Sequence, residues 1–108
     1  RTRVATDAVY LLLKYAFDEL DYRRVEWKCD SLNVKSRAAA LRFGFQYEGL
    51  FRKHLVVKGV NRDTTWFSMT DEDWRCGGIG ASFAAWLDEA NFSEEGLQIQ
   101  RLESFRSK

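Results

Sequence analysis

Asn33 and Ser36 form a pair of polar side chains whose types and spacing could bind a ligand. They follow the segment VEWKCD (residues 25–30), whose alternating side chains predict a strand, and they stand at the start of a predicted short helix. The first N–H groups of a helix have no partner within the helix, so this turn suits an anionic or amide-rich ligand. A helix cap with a solvent-facing serine is the alternative interpretation of the same residues.

His54, Glu48 and Asp63 are further candidates for chemistry. His54 is the only histidine, and on a predicted strand it shares the more polar face with Glu48 and Arg52. It could act as general base for a substrate amine, which must be neutral to attack an acyl group, or it could be a plain edge-strand histidine. Asp63 follows the turn of residues 58–61, so it could orient a substrate amine or simply end that turn.

The elements that must position these residues indicate an α/β fold. Apolar side chains three and four positions apart predict an amphipathic helix over residues 5–20, with an apolar arc wide enough to expect further cover. The remaining predicted elements are a helix over residues 33–43, capped by Asn33 and ended by Gly44, and strands over residues 24–30, 45–58 and 62–70.

The sequence after the last strand predicts a helical tail. Residues 71–74 leave the sheet, and the segment CGGIG (residues 76–80) predicts a flexible joint. Residues 81–91 and 93–106 predict two surface helices. The length of 108 residues predicts a single domain over residues 1–108, of which residues 75–108 are the tail.

Composition excludes several classes of protein. The 17 basic and 16 acidic side chains leave a formal net charge of +1, which argues against a general nucleic-acid binder. No apolar run approaches the roughly 20 residues of a membrane span. One histidine and two scattered cysteines predict no metal site, and the same two cysteines predict free thiols in a reducing, cytoplasmic setting.

The string D-x-L-N-x-x-S…G-F-x-x-E-G, which runs from Asp30 to Gly49, resembles the GCN5-related N-acetyltransferases, the GNAT family, and within it the RimJ/RimL-like branch. The resemblance implies acetyl-CoA as co-substrate and an amine acceptor, either a protein N-terminus or a small amine. It implies that Asn33 binds the pantetheine arm. It also implies that Ser36 lies near the thioester sulfur and donates a proton to the departing CoA thiolate. Arg37 could contact a CoA phosphate, or it could lie on a solvated helix face.

The same resemblance implies a second cofactor contact at the N-terminus. The family's pyrophosphate loop, Q/R-x-x-G-x-G/A, would end at Ala5, and the N–H groups of Val4, Ala5 and Thr6 could then cradle phosphate. Arg3 stands where the family has its first glycine.

The implied fold is a partial GNAT fold (acyl-CoA N-acyltransferase), the C-terminal half, with a three-stranded sheet and flanking helices. The strand of residues 62–70 would lie between the other two, and the strand around Trp27 would be an open edge. We therefore expect self-association or a partner chain that supplies the missing half. The alternative function is a non-catalytic GNAT-like fragment that acts as an interaction or dimerisation module.

Overall fold

The computed structural model describes residues 3–88 and Leu102. Its elements in chain order are α1 (Arg3–Lys14), a π-helical segment (Tyr15–Glu19), β1 (Arg24–Asp30), α2 (Val34–Phe43), β2 (Gln46–Val57), β3 (Val60–Thr70), α3 (Asp71–Arg75) and α4 (Ile79–Leu87). They form two compact units, a sheet unit of Arg24–Met69 and a helical unit that contains the flanking segments. The predicted helical tail lies partly outside the described residues, so the single-domain assignment stays a prediction.

The sheet has the strand order β1-β3-β2, which confirms the predicted central position of the last strand. β2 and β3 pair antiparallel. Ser31, just past the end of β1, donates its N–H to the carbonyl oxygen of Asp63 near the start of β3, so β1 also runs antiparallel to β3. Among the described strands β1 therefore lies at one edge of the sheet, as predicted.

The β2–β3 hairpin turns through two residues with positive φ. Lys58 has φ 52° and Gly59 has φ 77°, with Val57 paired to Val60 across the turn. This geometry suits the right-handed twist of the strands and confirms a turn at Lys58 and Gly59. The predicted turn over residues 58–61 is too long, because Val60 and Asn61 already pair with β2. The predicted unbroken alternation along β2 is wrong, because its register against β3 shifts twice, and Lys53 takes φ 52° within the second irregularity.

Helix α2 begins and ends as the sequence predicts. The Asn33 side chain accepts a hydrogen bond from the N–H of Ser36, which is the usual N-cap contact. Gly44 ends the helix with φ 100°, a left-handed conformation in which a side chain would be strained. Its N–H bonds to the carbonyl oxygens of Ala40 and Leu41.

The helical unit is built around Trp74 of α3. Its ring stacks with Tyr10 and Phe17, at centroid distances of 6.1 and 5.6 Å, and lies 6.2 Å from the ring of Phe83. The indole N–H donates to the Asp18 carboxylate at 3.1 Å. Arg75 donates to the carbonyl oxygen of Phe17. Both acceptors lie in the π-helical segment, so α3 fixes the segment that follows α1.

Burial along the first helix is narrower than the predicted apolar face. Leu13 and Phe17 are buried, but Leu12 is 70% exposed and Leu20 is 42% exposed. The helix also changes character after Lys14, where the π-helical segment begins, so the 3.6-residue period no longer sets which side chains face the core.

Two predictions for the tail are corrected. The segment of residues 76–80 is not simply a joint, because Ile79 and Gly80 begin α4 and a Cβ on Gly80 would lie 2.8 Å from the Trp74 ring. Helix α4 is not a surface helix, since Phe83 and Trp86 are almost fully buried. It ends at Leu87, before the predicted end at residue 91. The second predicted helix, over residues 93–106, lies outside the described residues apart from Leu102, which is buried.

Candidate functional site

The start of α2 brings Asn33 and Ser36 together. The Ser36 N–H lies 3.0 Å from the Asn33 Oδ1, so both side chains stand at the same end of the helix. Asp30 accepts hydrogen bonds from the N–H groups of Leu32, through its side chain, and of Asn33, through its carbonyl oxygen. These two hydrogen bonds hold the turn that connects β1 to α2. The Asn33 side-chain nitrogen has no hydrogen-bond partner within the described part of the chain.

Local hydrogen bonds satisfy most of the first-turn N–H groups of α2. Those of Val34, Ser36 and Arg37 bond to the Leu32 carbonyl, the Asn33 side chain and the Asn33 carbonyl, respectively. Across residues 3–88, no acceptor is found for the N–H of Lys35. The N-terminus of α2 therefore offers a ligand two hydrogen-bond donors, the Lys35 N–H and the Asn33 side-chain amide. It does not offer several unpaired backbone N–H groups.

The Ser36 hydroxyl is oriented by an indole from β1. The Nε1 of Trp27 donates to Ser36 Oγ at 3.0 Å, in a part-buried setting. Because the oxygen accepts this bond, its own hydrogen points elsewhere, and no acceptor for that hydrogen lies within the described residues. The Ser36 hydroxyl hydrogen is therefore available to a ligand at the N-terminus of α2.

Arg37 lies one residue further into the same helix turn. Its Nε atom is buried, with no hydrogen-bond partner within the part of the chain that the structure describes. A guanidinium in this place could bond phosphate oxygens.

Val4, Ala5 and Thr6 are found in a different setting from the predicted loop. They lie inside α1, which has already begun at Arg3, and Thr6 is fully buried. The prediction of a pyrophosphate loop ending at Ala5 is therefore corrected to the first turns of a helix. These residues belong to the helical unit, whereas Asn33, Ser36 and Arg37 belong to the sheet unit.

His54 is placed on the opposite face of the sheet from Ser36. Successive side chains of a strand point to opposite faces, so Trp27, which contacts Ser36, and Lys28 face opposite ways. The Lys28 ammonium lies 5.0 Å from the centroid of the Trp66 ring, and the His54 ring lies 6.2 Å from the same ring. The structure therefore does not bring together the two predicted catalytic side chains.

The His54 ring is engaged by its neighbours on β2 and β3. Its Nδ1 lies 2.8 Å from the hydroxyl of the buried Thr64, and the ring meets Phe51 edge-on at 5.3 Å. The register shift between Phe51 and Leu55 turns His54 toward Thr64. A hydrogen bond at Nδ1 fixes the ring and leaves Nε2 for a second partner.

Glu48 shares that polar face. Its carboxylate accepts hydrogen bonds from the Ser68 hydroxyl and from Arg24, whose guanidinium lies at 3.0 Å. The Ser68 hydrogen bond, followed by that of Arg24, lowers the pKa of Glu48 below its ordinary value. Glu48 thus links the edge strand β1 to β2 and β3.

Asp63 holds the second irregularity of β2. Its Oδ1 accepts the N–H of Lys53 at 2.7 Å and the amide of Asn61 at 3.0 Å. The Lys53 N–H is the main cause that lowers the pKa of Asp63. Since Lys53 is the residue with positive φ, the Asp63 carboxylate stabilises the bend rather than only ending the turn.

Trp27 is the residue of this site that sequence reasoning missed, since its alternation predicted only a strand position. The available signal was chemical. A half-buried tryptophan needs an acceptor for its indole N–H, and Ser31 and Ser36 are the two hydroxyls that follow its strand.

Residues 3–88 contain no group of three or more His, Cys, Asp or Glu side chains arranged to hold a metal ion. No helix within the same residues has both the length and the apolar character to cross a bilayer.

Comparison with known proteins identifies the fold. The Acetyltransferase (GNAT) domain family matches residues 1–46. A solved GCN5-related N-acetyltransferase from Brucella melitensis matches 97% of the chain with a TM-score of 0.93 and 48% sequence identity. The chain has the fold of the GNAT acetyltransferases and is similar to them in sequence. GNAT acetyltransferases use acetyl-CoA as co-substrate.

Two other relatives match a shorter part of the chain. A probable GNAT-family acetyltransferase from Chromobacterium violaceum is 65% identical, with a TM-score of 0.67, and the match covers 68% of this chain and 37% of that one. YdaF from Bacillus subtilis, named as a candidate ribosomal N-acetyltransferase, is 38% identical over 71 residues, which are 66% of this chain and 39% of YdaF. The chain spans 47% of the Brucella protein, so it corresponds to about half of such a domain.

Proposed function

We propose that this chain is the C-terminal, acetyl-CoA-binding half of an N-acetyltransferase of the RimJ/RimL-like branch. The observation that carries the proposal is the Ser36 hydroxyl, which accepts the Trp27 indole N–H at 3.0 Å and whose own hydrogen has no acceptor within the described residues. The Asn33 amide nitrogen and the Lys35 N–H are donors suited to the amide oxygens of a pantetheine arm.

Ser36 stabilises the leaving group in this proposal. The amine nitrogen bonds to the acetyl carbonyl carbon and loses its proton to a base, the C–S bond then breaks, and its electron pair leaves on the sulfur of CoA. The Ser36 hydroxyl donates a hydrogen bond to that sulfur, which takes its proton from solvent to leave as free CoA. A thiolate is a good leaving group, so one well-placed donor is sufficient help.

Other parts of the predicted site have weaker support. Arg37 is retained as a phosphate contact, because its buried Nε lacks a partner in the described residues. Val4, Ala5 and Thr6, which lie inside α1, are assigned no phosphate contact in this proposal. His54, on the opposite sheet face from Ser36, is assigned no part in deprotonating the amine.

The acceptor is proposed as an amine, either a protein N-terminus or a small amine; the relative YdaF bears the name of a ribosomal N-acetyltransferase. A second copy or a partner chain would pair with the exposed edge strand β1 and supply the other half of the domain. The free thiols of Cys29 and Cys76 suit a reducing, cytoplasmic setting for this protein.

A non-catalytic interaction module is the second candidate function. It is favoured by the apolar side chains that β2 exposes in the described structure, among them Tyr47, Phe51 and Val56.

Calorimetric titration of the protein with acetyl-CoA tests the proposal, with mass measured by light scattering in the same samples. Asn33→Ala and Ser36→Ala are compared with Ser31→Ala, a matched change outside the helix mouth. We expect wild type and Ser31→Ala to bind in the micromolar range and Asn33→Ala to bind more weakly. A folded wild-type protein that fails to bind at millimolar acetyl-CoA would contradict the proposed function and favour the interaction module.

A further inference from the structure

We propose that Trp27 is a positioning residue for Ser36 in acetyl transfer, a role that rests on the proposed function. The indole N–H of Trp27 donates to Ser36 Oγ at 3.0 Å from the neighbouring strand β1. Trp27 would not touch the thioester. It would act through the hydroxyl, by fixing where the serine oxygen lies and which way its hydrogen points.

The Trp27 ring is held firmly enough to fix a hydroxyl. It packs against Phe43 of α2 at a centroid distance of 5.8 Å and against Phe45 at 5.5 Å, edge-on. Phe43 and Phe45 are both almost fully buried. Aromatic rings packed from two sides have few rotamers available, so the position of the N–H follows from the packing of α2 on the sheet.

This hydrogen bond decides the role of the Ser36 hydroxyl. A serine oxygen near a helix start can donate its hydrogen to nearby backbone carbonyls, and it is then unavailable to a ligand. An oxygen that already accepts the indole N–H has a restricted rotor, and its hydrogen is turned away from Trp27. Such a donor needs no reorganisation when negative charge develops on sulfur, and acceptance of the indole bond makes it a stronger donor.

The substitution Trp27→Phe removes the indole N–H and keeps an aromatic ring among Phe43 and Phe45. Trp66→Phe is the matched control, because its indole nitrogen is buried without a hydrogen-bond partner in the described residues and lies on the other sheet face. We expect Trp27→Phe to lower kcat for acetyl transfer by roughly three- to tenfold, the value of one hydrogen bond, with the KM for acetyl-CoA unchanged. Trp66→Phe should retain the wild-type kcat.

A double-mutant cycle separates positioning from general damage. If Trp27 acts through the Ser36 hydroxyl, adding Trp27→Phe to Ser36→Ala should cause no further loss of kcat. Independently of activity, the indole ¹H–¹⁵N signal of Trp27 should shift and exchange faster with solvent in Ser36→Ala, while the Trp66 signal should stay in place.

The outcomes separate this role from the proposed function. The positioning role would be overturned by equal kcat values for Trp27→Phe and Trp66→Phe, or by losses that multiply in the double mutant. The proposed function would still hold in either case if the wild-type protein transfers acetyl groups. A wild-type protein that neither binds acetyl-CoA nor transfers its acetyl group would overturn both. An unshifted Trp27 indole signal in Ser36→Ala would overturn the hydrogen bond itself.

Discussion

On the face of the sheet that packs against α2, the Trp27 ring packs against Phe43 and Phe45. Its indole N–H donates a hydrogen bond to the Ser36 hydroxyl. The opposite face instead holds ion pairs and hydrogen bonds between strands, such as the contacts of Glu48 with Arg24 and Ser68. The first face leaves the Ser36 hydroxyl donor without an acceptor in the described residues, whereas the second face engages the Glu48 carboxylate fully and leaves Trp66 Nε1 buried without a partner there. The candidate site is therefore marked by an available hydroxyl that stands beside the Asn33 amide at the start of a helix, and not by an unpartnered polar atom alone.

The largest expected difference between the faces is catalytic. Ser36→Ala should lower kcat for acetyl transfer by about tenfold or more, because a donor to the leaving sulfur is lost. His54→Gln should keep kcat within about threefold, since the His54 ring bonds Thr64 on the other face. Steady-state rates across pH 6–9 would check both variants. A pH-dependent loss in His54→Gln larger than that of Ser36→Ala would reverse the assignment and restore His54 as general base.

The next effect concerns the end of α2. Gly44→Ala should lower the free energy of unfolding by about 1–2 kcal/mol, because φ 100° is costly for a residue with a Cβ. Gly49→Ala is the control, since no heavy atom lies within 4 Å of a Cβ at that position. Urea unfolding followed by circular dichroism measures both variants. Equal midpoints would show that the left-handed cap does not limit stability.

A smaller, pH-dependent effect should mark the polar face. The folded state lowers the pKa of Glu48, so its stabilisation is fully present above the ordinary value of 4.5 and is lost as pH falls through the folded pKa. Glu48→Gln should therefore have a lower Tm than wild type at pH 7, with the difference shrinking as the pH falls below 4.5.

Glu72→Gln is the matched control for that measurement, because Glu72 is exposed and has no ion pair within the described residues. A Tm difference between wild type and Glu48→Gln that stays constant from pH 7 to pH 3 would show that the Arg24 and Ser68 contacts do not act through the carboxylate charge.

The smallest effect is expected at Asp63. Asp63→Asn keeps an oxygen that can accept the Lys53 N–H, so Tm should fall slightly, and the KM for the amine acceptor should not change. Asp63→Ala loses that acceptor and should unfold at a lower temperature than Asp63→Asn. A rise in the KM for the amine in Asp63→Asn, without a change in Tm, would instead assign Asp63 to substrate binding.

Local chemistry made much of the sheet unit predictable. The Asn33 cap, the Gly44 stop and the Lys58–Gly59 turn depend on neighbouring residues alone, and the structure confirms them. The second irregularity of β2 was not predictable, because it depends on an aspartate ten residues away along the chain that accepts the Lys53 N–H. Periodicity describes regular strands and is silent about contacts that interrupt them.

The tail illustrates the same division. The glycines of residues 77–80 suggested flexibility, whereas Gly80 allows α4 to lie against the Trp74 ring. Glycine occurs both in flexible segments and where two elements pack closely. Only the packed neighbour, here Trp74, distinguishes the two cases.

By itself, the sequence determined the α/β elements, the cap that brings Asn33 and Ser36 together, and the resemblance to the GNAT family. Each of these features depends on residues that lie close together in the chain. Only the tertiary structure decided that Ser36 and His54 lie on opposite faces of the sheet and that Trp27 donates a hydrogen bond to the Ser36 hydroxyl. The physical reason is that the direction of a side chain depends on strand register and on what packs beside it, and both are set by residues distant in the chain.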